Sequence, residues 1–332
     1  MGIHAYAVHS PKSELKPFEY EPGPLGPDEV EISVTHCGIC HSDLEMIDNN
    51  WGMTTYPLVP GHEVVGTIAA VGPEVHGRRV GERVGLGWSS GSCLNCRYCL
   101  SGREHLCGVR PEGTIVGRPG GFADRVRCQA RWAIPVPDGI ASEVAGPMFC
   151  GGTTVWTPML HYGVTPTMKT AVVGVGGLGH MAVQMLAKYG TDVTAISSSR
   201  RKEAEAREFG ARAVITNDEL DSHRDEFDYI ICTVPTSMNW NALVAALAPQ
   251  GRLVIVGVPD SDVSLAAFGM IAGERTVSGG RTGSPGDTEK MLEFCARHGI
   301  GAKVEQFAMK DVNQAVKHVH EGKARYRAVL VA

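Results

Sequence analysis

The chain has 332 residues, 43% of them hydrophobic and 20% charged, with a net charge of −5; this length exceeds a single hydrophobic core and predicts two domains. The slightly acidic balance and scattered basic residues exclude a nucleic-acid or membrane-surface partner, and no window approaches the roughly 18–20 apolar residues of a membrane span. The first residues, MGIHAYAVHSPKSELK, hold no apolar run of signal-peptide length, so the ten cysteines predict a reducing, cytoplasmic setting in which thiolates serve metals rather than disulfides.

Through about residue 150 the sequence reads as short strands broken by Gly and Pro. Glu29–His36 alternates, with Val30, Ile32 and Val34 on one face and Glu29, Glu31, Ser33 and Thr35 on the other, as a half-buried strand does. Further strands are predicted at Glu63–Val71, Arg83–Leu86, Ala123–Arg127 and Trp132–Val136. The turn signals GPLGPDE, RPGG and PVPDG between them imply a compact all-β unit.

Within that unit lies the loop SCLNCRYCLSGREHLC, which places Cys93, Cys96, Cys99 and Cys107 in a C-x2-C-x2-C-x7-C spacing. Two intervening residues let neighbouring sulfurs face one ion, whereas a disulfide framework usually ties distant segments. A closed, four-thiolate zinc site is therefore predicted over a disulfide pair or four unconnected cysteines.

After Cys150 the texture changes. Strands at Thr170–Val175, Asp192–Ser197, Tyr229–Val234, Gly251–Val258 and Thr276–Ser278 alternate with helical periodicity at Leu178–Tyr189 and Arg201–Phe209. This is the pattern of right-handed βαβ units in a doubly wound parallel sheet. A helix near Asp311–Glu321 and a strand at Tyr326–Val331 end the chain, and periodicity leaves open which domain they close.

The motif Gly174-x-Gly176-x-x-Gly179, with Gly177 and Leu178 inside it, stands between a buried strand and an amphipathic helix. Its glycines permit a tight turn and close approach of backbone to a pyrophosphate, and the helix N-terminus supplies free N–H groups. At the end of the second strand, where an NAD-binding chain carries Asp or Glu, the sequence has Ser197, Ser198 and Ser199 followed by Arg200, Arg201 and Lys202. Three cations at the start of a helix oppose its dipole, and a bound 2′-phosphate would resolve that conflict. NADP(H) is the expected cofactor. Val256, Gly257, Ser278 and Gly279 end later strands of the sheet, beyond whose carboxyl ends ligands bind, so backbone contacts to the nicotinamide are expected there.

Cys40, His62 and Cys150 have no local spacing, and each read singly is a core cysteine or a satisfied histidine. The order of CGICHSD, GHEVVGTIAAVG, the four-cysteine loop and GVGGLG, however, resembles the zinc-dependent medium-chain alcohol dehydrogenases, from about Tyr6 to Val331. The stretches SDLEMIDNNWG, YPLVPGHEVVG, GPMFCGGTTV and GKARYRAVL look most like the cinnamyl-alcohol-dehydrogenase group and its microbial NADPH-dependent aldehyde reductases.

The resemblance implies an α/β fold with a GroES-like, β-rich catalytic domain over 1–150, completed by 289–332, and a Rossmann NADP-binding domain over 151–288. It implies two zinc ions per chain. The catalytic one is held by Cys40, His62 and Cys150, with the Glu63 carboxylate able to approach as ligands exchange and Asp43 orienting the histidine. Ser42 corresponds to the hydroxyl that contacts the substrate oxygen and starts a proton relay, and Glu45 stands where many relatives continue that relay with His. Thr154 and Arg327 are expected at the cofactor, Arg327 on its pyrophosphate. Trp51 and Trp88 would wall a pocket for aliphatic or aromatic aldehydes and alcohols, unless they are core residues; Cys37, Cys128, Cys232 and Cys295 are expected to pack. A homodimer formed by edge-strand pairing is usual in the family. An NAD-dependent dehydrogenase of secondary alcohols or polyols, or a crystallin-like NADPH-binding protein, are the competing readings. The serine–arginine stretch opposes the first, and retention of all three zinc ligands opposes the second.

Overall fold

The computed structural model describes residues 2–332. Its contacts divide the chain into one unit of residues up to Thr153 together with Gly283–Ala332, and a second of Thr154–Thr282. The sequence places these boundaries at 150/151 and 288/289. The structural boundary after Thr153 falls inside the helix Gly151–His161, where no turn signal marks it. The structural boundary before Gly283 precedes the helix Pro285–His298, which the sequence reading missed; its buried Thr288 bonds Thr153 side chain to side chain at 3.0 Å and ties it to the first unit.

The first unit is built on a seven-stranded sheet ordered Val304–Ala308, Arg327–Val331, Glu29–Ile39, Glu63–Val71, Arg83–Leu86, Ile134–Pro135, with Arg125–Gln129 pairing the long strand Glu29–Ile39. All pairings are antiparallel except that of the two C-terminal strands. The C-terminal segment therefore closes the first unit, the point that periodicity left open. Val30, Ile32 and Val34 are buried as their alternation requires, in a core shared with Ile68, Val84, Leu86 and Phe122. Glu31 departs from the expected exposed face. It is buried because Arg125 and Arg127 on the pairing strand hold its two oxygens at 2.6 and 2.8 Å, so the charge is paired rather than solvated.

The second unit is a six-stranded, all-parallel sheet ordered Ala213–Thr216, Asp192–Ser197, Lys169–Val173, Phe227–Cys232, Leu247–Ile255, Thr276–Gly279. Numbered along the unit this is 3-2-1-4-5-6, the doubly wound order whose switch point lies between Lys169–Val173 and Phe227–Cys232. Its central strands Lys169–Val173 and Phe227–Cys232 read as apolar runs because both faces are covered. One element corrects the sequence reading. Arg200–Lys202 is a separate 3-10 turn, and the α-helix starts only at Glu203, with Glu203 and Glu205 in its first turn. The acids thus occupy the helix N-terminus as the dipole prefers, and the conflict inferred for the three cations disappears.

Candidate active site

Three breaks in the first unit's backbone bring distant residues together. Cys40 follows the long strand and caps the helix His41–Asp48, His62 directly precedes the strand Glu63–Val71, and Cys150 links the turn Gly146–Phe149 to the helix Gly151–His161. Cys40 Sγ lies 3.9 Å from Cys150 Sγ, and His62 Nε2 lies 3.3 Å from Cys150 Sγ. With a Glu63 carboxylate oxygen, the four ligand atoms all lie within 4.8 Å of one another, and all four residues are buried.

Asp43 organises this cluster. Its buried carboxylate accepts from Cys40 N at 2.9 Å and Gly61 N at 2.9 Å, and bonds His62 Nδ1 at 2.9 Å. One side chain thereby fixes the backbone at two of the break points and turns Nε2 of His62 toward the sulfurs. Gly61 is required at its corner: its φ is +99°, and a methyl there would press on Phe122 and on Cys37 Sγ at 2.6 and 2.8 Å.

The donor atoms fit a divalent cation, and without one the site shares its protons unevenly. The hydrogen bond from Cys150, then, against burial, Arg327 and His62, hold the Cys40 thiol well below its ordinary pKa; the same bond and burial hold Cys150 well above. Burial pulls His62 down, but the Asp43 carboxylate and Cys40 more than offset it and leave His62 raised. Burial also pushes Glu63 up to about 7, against the pull of the Arg327 guanidinium. Sulfur, sulfur and imidazole with a carboxylate in reserve is a zinc donor set that leaves a position open, and loading it releases protons.

Arg327 has its Nη2 on Glu63 Oε1, while Glu63 Oε2 and Arg327 Nε are buried without a partner. The guanidinium expected at a pyrophosphate is therefore engaged inside the first unit. Its role as Glu63's partner was not legible from the sequence, the two residues being 264 positions apart with no local motif joining them.

Trp88 packs edge-on to the His62 ring at 5.1 Å and to Trp51 at 5.9 Å. Both tryptophans thus stand beside the ligand cluster, Trp51 on the exposed side. Ser42, in the first turn of the helix that Cys40 caps, is half-buried, and its hydroxyl makes no hydrogen bond among the described residues. Glu45 pairs with His41 Nε2 at 3.0 Å, one helical turn back.

The four loop cysteines also converge, their sulfurs within 4.8 Å of one another. Backbone N–H groups point at them: Cys96 N to Cys93 Sγ at 3.3 Å, and Arg110 N and Cys93 N to Cys107 Sγ at 3.5 Å each. Such bonds stabilise thiolates, and with four sulfurs in place no ligand position remains. We predict that Cys99→Ser lowers stability by at least about 3 kcal/mol while turnover per folded molecule at low temperature stays within about twofold, checked by denaturant unfolding beside steady-state assays.

In the second unit the glycine motif has the expected geometry. Gly174 has φ +88°, and a methyl on Gly179 would overlap the Gly174 carbonyl and sit 3.1 Å from Thr233 Oγ1. At Gly176 a methyl would meet nothing within 4 Å. The first and third glycines are thus demanded by the turn itself, and the second leaves open space of the kind a pyrophosphate fills. His180 Nδ1 bonds the Gly176 carbonyl at 3.0 Å, fixing the loop from the helix side.

Around the expected phosphate site, Arg200 is already taken. It holds Glu219 through both oxygens at 2.7 and 2.9 Å, with Glu203 at 3.2 Å and the Val214 carbonyl at 3.0 Å. Lys202 reaches back instead, its Nζ 3.0 Å from the Val175 carbonyl inside the glycine loop. Ser197 ends the strand before that turn, Ser199 is the residue at the turn's start, and Ser198 lies between them. The N–H groups of Val256 and Gly257 are occupied by the Cys232 carbonyl at 3.0 and 3.1 Å, and Gly279's carbonyl accepts from Tyr162 Oη at 2.8 Å. Ser278 Oγ is buried without a partner, and Thr154 is buried in the helix Gly151–His161. Cys37, Cys128, Cys232 and Cys295 are all buried.

Residues 26–138 match the alcohol dehydrogenase GroES-like domain and residues 177–297 the zinc-binding dehydrogenase domain. An aldehyde reductase from Synechocystis is 50% identical over 99% of this chain and 98% of its own length. The chain belongs to the zinc-dependent alcohol dehydrogenase family. Among solved structures, a Sorghum bicolor cinnamyl alcohol dehydrogenase superposes on this dehydrogenase with a TM-score of 0.94 at 36% identity, covering 100% of this chain and 98% of that one. The cinnamyl alcohol dehydrogenase of Helicobacter pylori, solved with NADP(H), gives a TM-score of 0.91 at 29% identity over 99% and 98%. Among the described residues, no helix of the dehydrogenase is long and apolar enough to cross a membrane.

Proposed function

We propose that this dehydrogenase reduces aliphatic and aromatic aldehydes to primary alcohols, reversibly, with NADPH as hydride donor and a catalytic zinc held by Cys40, His62 and Cys150. The observation that carries the reading is the convergence of those three buried ligands, from three separate breaks in the chain, with Glu63 within the same 4.8 Å. Bound there, zinc supplies Lewis-acid polarisation of a carbonyl oxygen and lowers the pKa of an alcohol.

The chain's own residues do the rest. Asp43 holds the His62 tautomer that presents Nε2 inward. Ser42, with its hydroxyl uncommitted, takes and gives the proton at the substrate oxygen, and water beyond it completes the exchange because Glu45 is engaged with His41. Trp51 and Trp88 offer apolar, edge-stacked walls beside the ligands, which favour a hydrocarbon tail over a polyol.

NADPH is favoured over NADH because no Asp or Glu ends the strand Asp192–Ser197, where a ribose 2′-hydroxyl would need one. Lys202, already bent over the glycine loop, and Ser197, Ser198 and Ser199 take the 2′-phosphate. Arg200 contributes by holding the turn to Glu219. The Helicobacter relative, solved with NADP(H), supports the choice. Steady-state comparison of the two cofactors over a panel of short-chain, long-chain and aromatic aldehydes tests the reading. NADPH is expected to lead in kcat/KM, and Lys202→Ala to raise KM for NADPH by about tenfold while leaving NADH within about twofold. Equal kcat/KM with both cofactors would contradict it.

The assembly we infer is a cytoplasmic homodimer paired through Thr276–Gly279, one of the two edge strands of the parallel sheet. Phe268 and Ile271, in the short helix ahead of that strand, are 80% and 72% exposed, an apolar surface that a second copy would cover.

A further inference from the structure

Glu63 and Arg327 do not sit on neighbouring strands. The strand Glu29–Ile39 runs between theirs and is paired to both. In that middle strand Gly38 stands directly opposite Glu63 on one side and opposite Val329 on the other. Opposed residues project from the same face of a sheet, as do residues two apart along a strand. Arg327, Val329, Gly38 and Glu63 therefore share one face, and a side chain at position 38 would stand in the path from Glu63 to Arg327.

The clash is specific. A methyl at Gly38 would overlap Glu63 Oε2 and press on its Cβ and Cδ at 3.0 and 3.1 Å. A second bare position borders the same residue, since a methyl at Gly146 would come within 2.8 Å of the Glu63 carbonyl. Backbone conformation does not explain the glycine, because Gly38 is not among the residues with positive φ. Strand propensity opposes it, glycine in a strand interior being unfavourable.

We propose that Gly38 is a positioning residue: its missing side chain is the gap in the middle strand through which the Glu63 carboxylate crosses to Arg327 while staying beside the Cys40–His62–Cys150 cluster. The proposal rests on reading that cluster as the catalytic metal site, with Glu63 assisting as ligands exchange. Adding a methyl at position 38 drives the carboxylate, the flexible end of the pair, out of its place. Shortening Glu63 by one methylene withdraws it from the new methyl.

The test is a double-mutant cycle of Gly38→Ala and Glu63→Asp, read by kcat, by KM, by the rate of zinc release to a chromogenic chelator, and by melting temperature. Gly38→Ala is expected to lower kcat and slow zinc release by about tenfold each, with KM for the aldehyde within about twofold. A merely loosened structure would instead release zinc faster. In the Glu63→Asp background the penalty of Gly38→Ala is expected to shrink to under about twofold. An equal penalty in both backgrounds, or a Gly38→Ala enzyme with unchanged kcat and zinc release, overturns the proposal. If Gly38→Ala alone does not fold, recovery of soluble, zinc-loaded protein in the double variant supports it, and no recovery overturns it. Failure of the underlying metal reading would look different, since Cys150→Ser and Glu63→Asp would then also leave kcat unchanged.

Discussion

Replacing Cys150 with serine is expected to lower aldehyde turnover by at least about a thousandfold and bound zinc from about two to about one per chain, with little loss of fold. The size follows from the role assigned to the site. Stabilising a developing oxyanion by a metal is worth several kcal/mol, and each 1.36 kcal/mol is about tenfold in rate. The fold survives because Cys150 lies between a short turn and a helix whose neighbours Met148, Phe149 and Val155 are buried independently of the sulfur. Serine keeps the volume within one atom and removes only the soft donor. Metal analysis, turnover and a thermal melt on the same preparation check the three parts together.

The second large effect is expected from Asp43→Ala. Asp43 is fully buried and satisfies Cys40 N, Gly61 N and His62 Nδ1 at once. Alanine leaves those donors facing a void. Each unsatisfied buried donor costs roughly 1–3 kcal/mol, so stability should fall by about 3 kcal/mol or more. The effect on chemistry is separable. With its orienting partner gone, His62 loses the preference for presenting Nε2 inward, and zinc affinity at that site should fall by about 10- to 100-fold. Asp43→Asn divides the two effects: its amide oxygen still accepts one backbone bond, so stability is partly kept while zinc affinity stays low. Equilibrium unfolding and competitive zinc titration on both variants give the comparison. Equal zinc affinity in Asp43→Asn and the native chain would show that Asp43 supports the fold alone.

Sequence periodicity located most of the scaffold for a physical reason. Glu63–Val71, Arg83–Leu86 and Asp192–Ser197 are legible to the residue because β-branched and apolar runs end at turn-forming neighbours. The helices His41–Asp48, Gly151–His161 and Pro285–His298 escaped it. The first is short and capped by a cysteine, and the second opens on Gly151 and Gly152 and contains Pro158, local signals against a helix that tertiary packing overrides. The third carries a start signal outside the hydrophobic period: Ser284 caps it, Pro285 stands at its first position and Asp287 closes the box.

The site was legible unevenly for a similar reason. The four-cysteine loop and the glycine motif are local, so spacing carries their chemistry. Cys40, His62 and Cys150 are joined only by folding, and family resemblance rather than spacing led to them. Resemblance supplied Asp43 as the partner of His62, but neither signal supplied its bonds to Cys40 N and Gly61 N, Glu63 reaching Arg327, or Arg200 spent on Glu219 while Lys202 turns toward the glycine loop. These contacts connect residues whose sequence neighbours say nothing of one another.

The central claim is a division of labour between two metal clusters, chemistry at Cys40, His62 and Cys150 and structure at the four-cysteine loop. Zinc per chain set against turnover and melting temperature, in Cys150→Ser and Cys99→Ser side by side, tests it most directly. The expected result is about one zinc in each variant, with turnover lost and melting retained in Cys150→Ser, and melting lowered but turnover retained in Cys99→Ser. Full turnover in Cys150→Ser, or loss of turnover without loss of stability in Cys99→Ser, would contradict it.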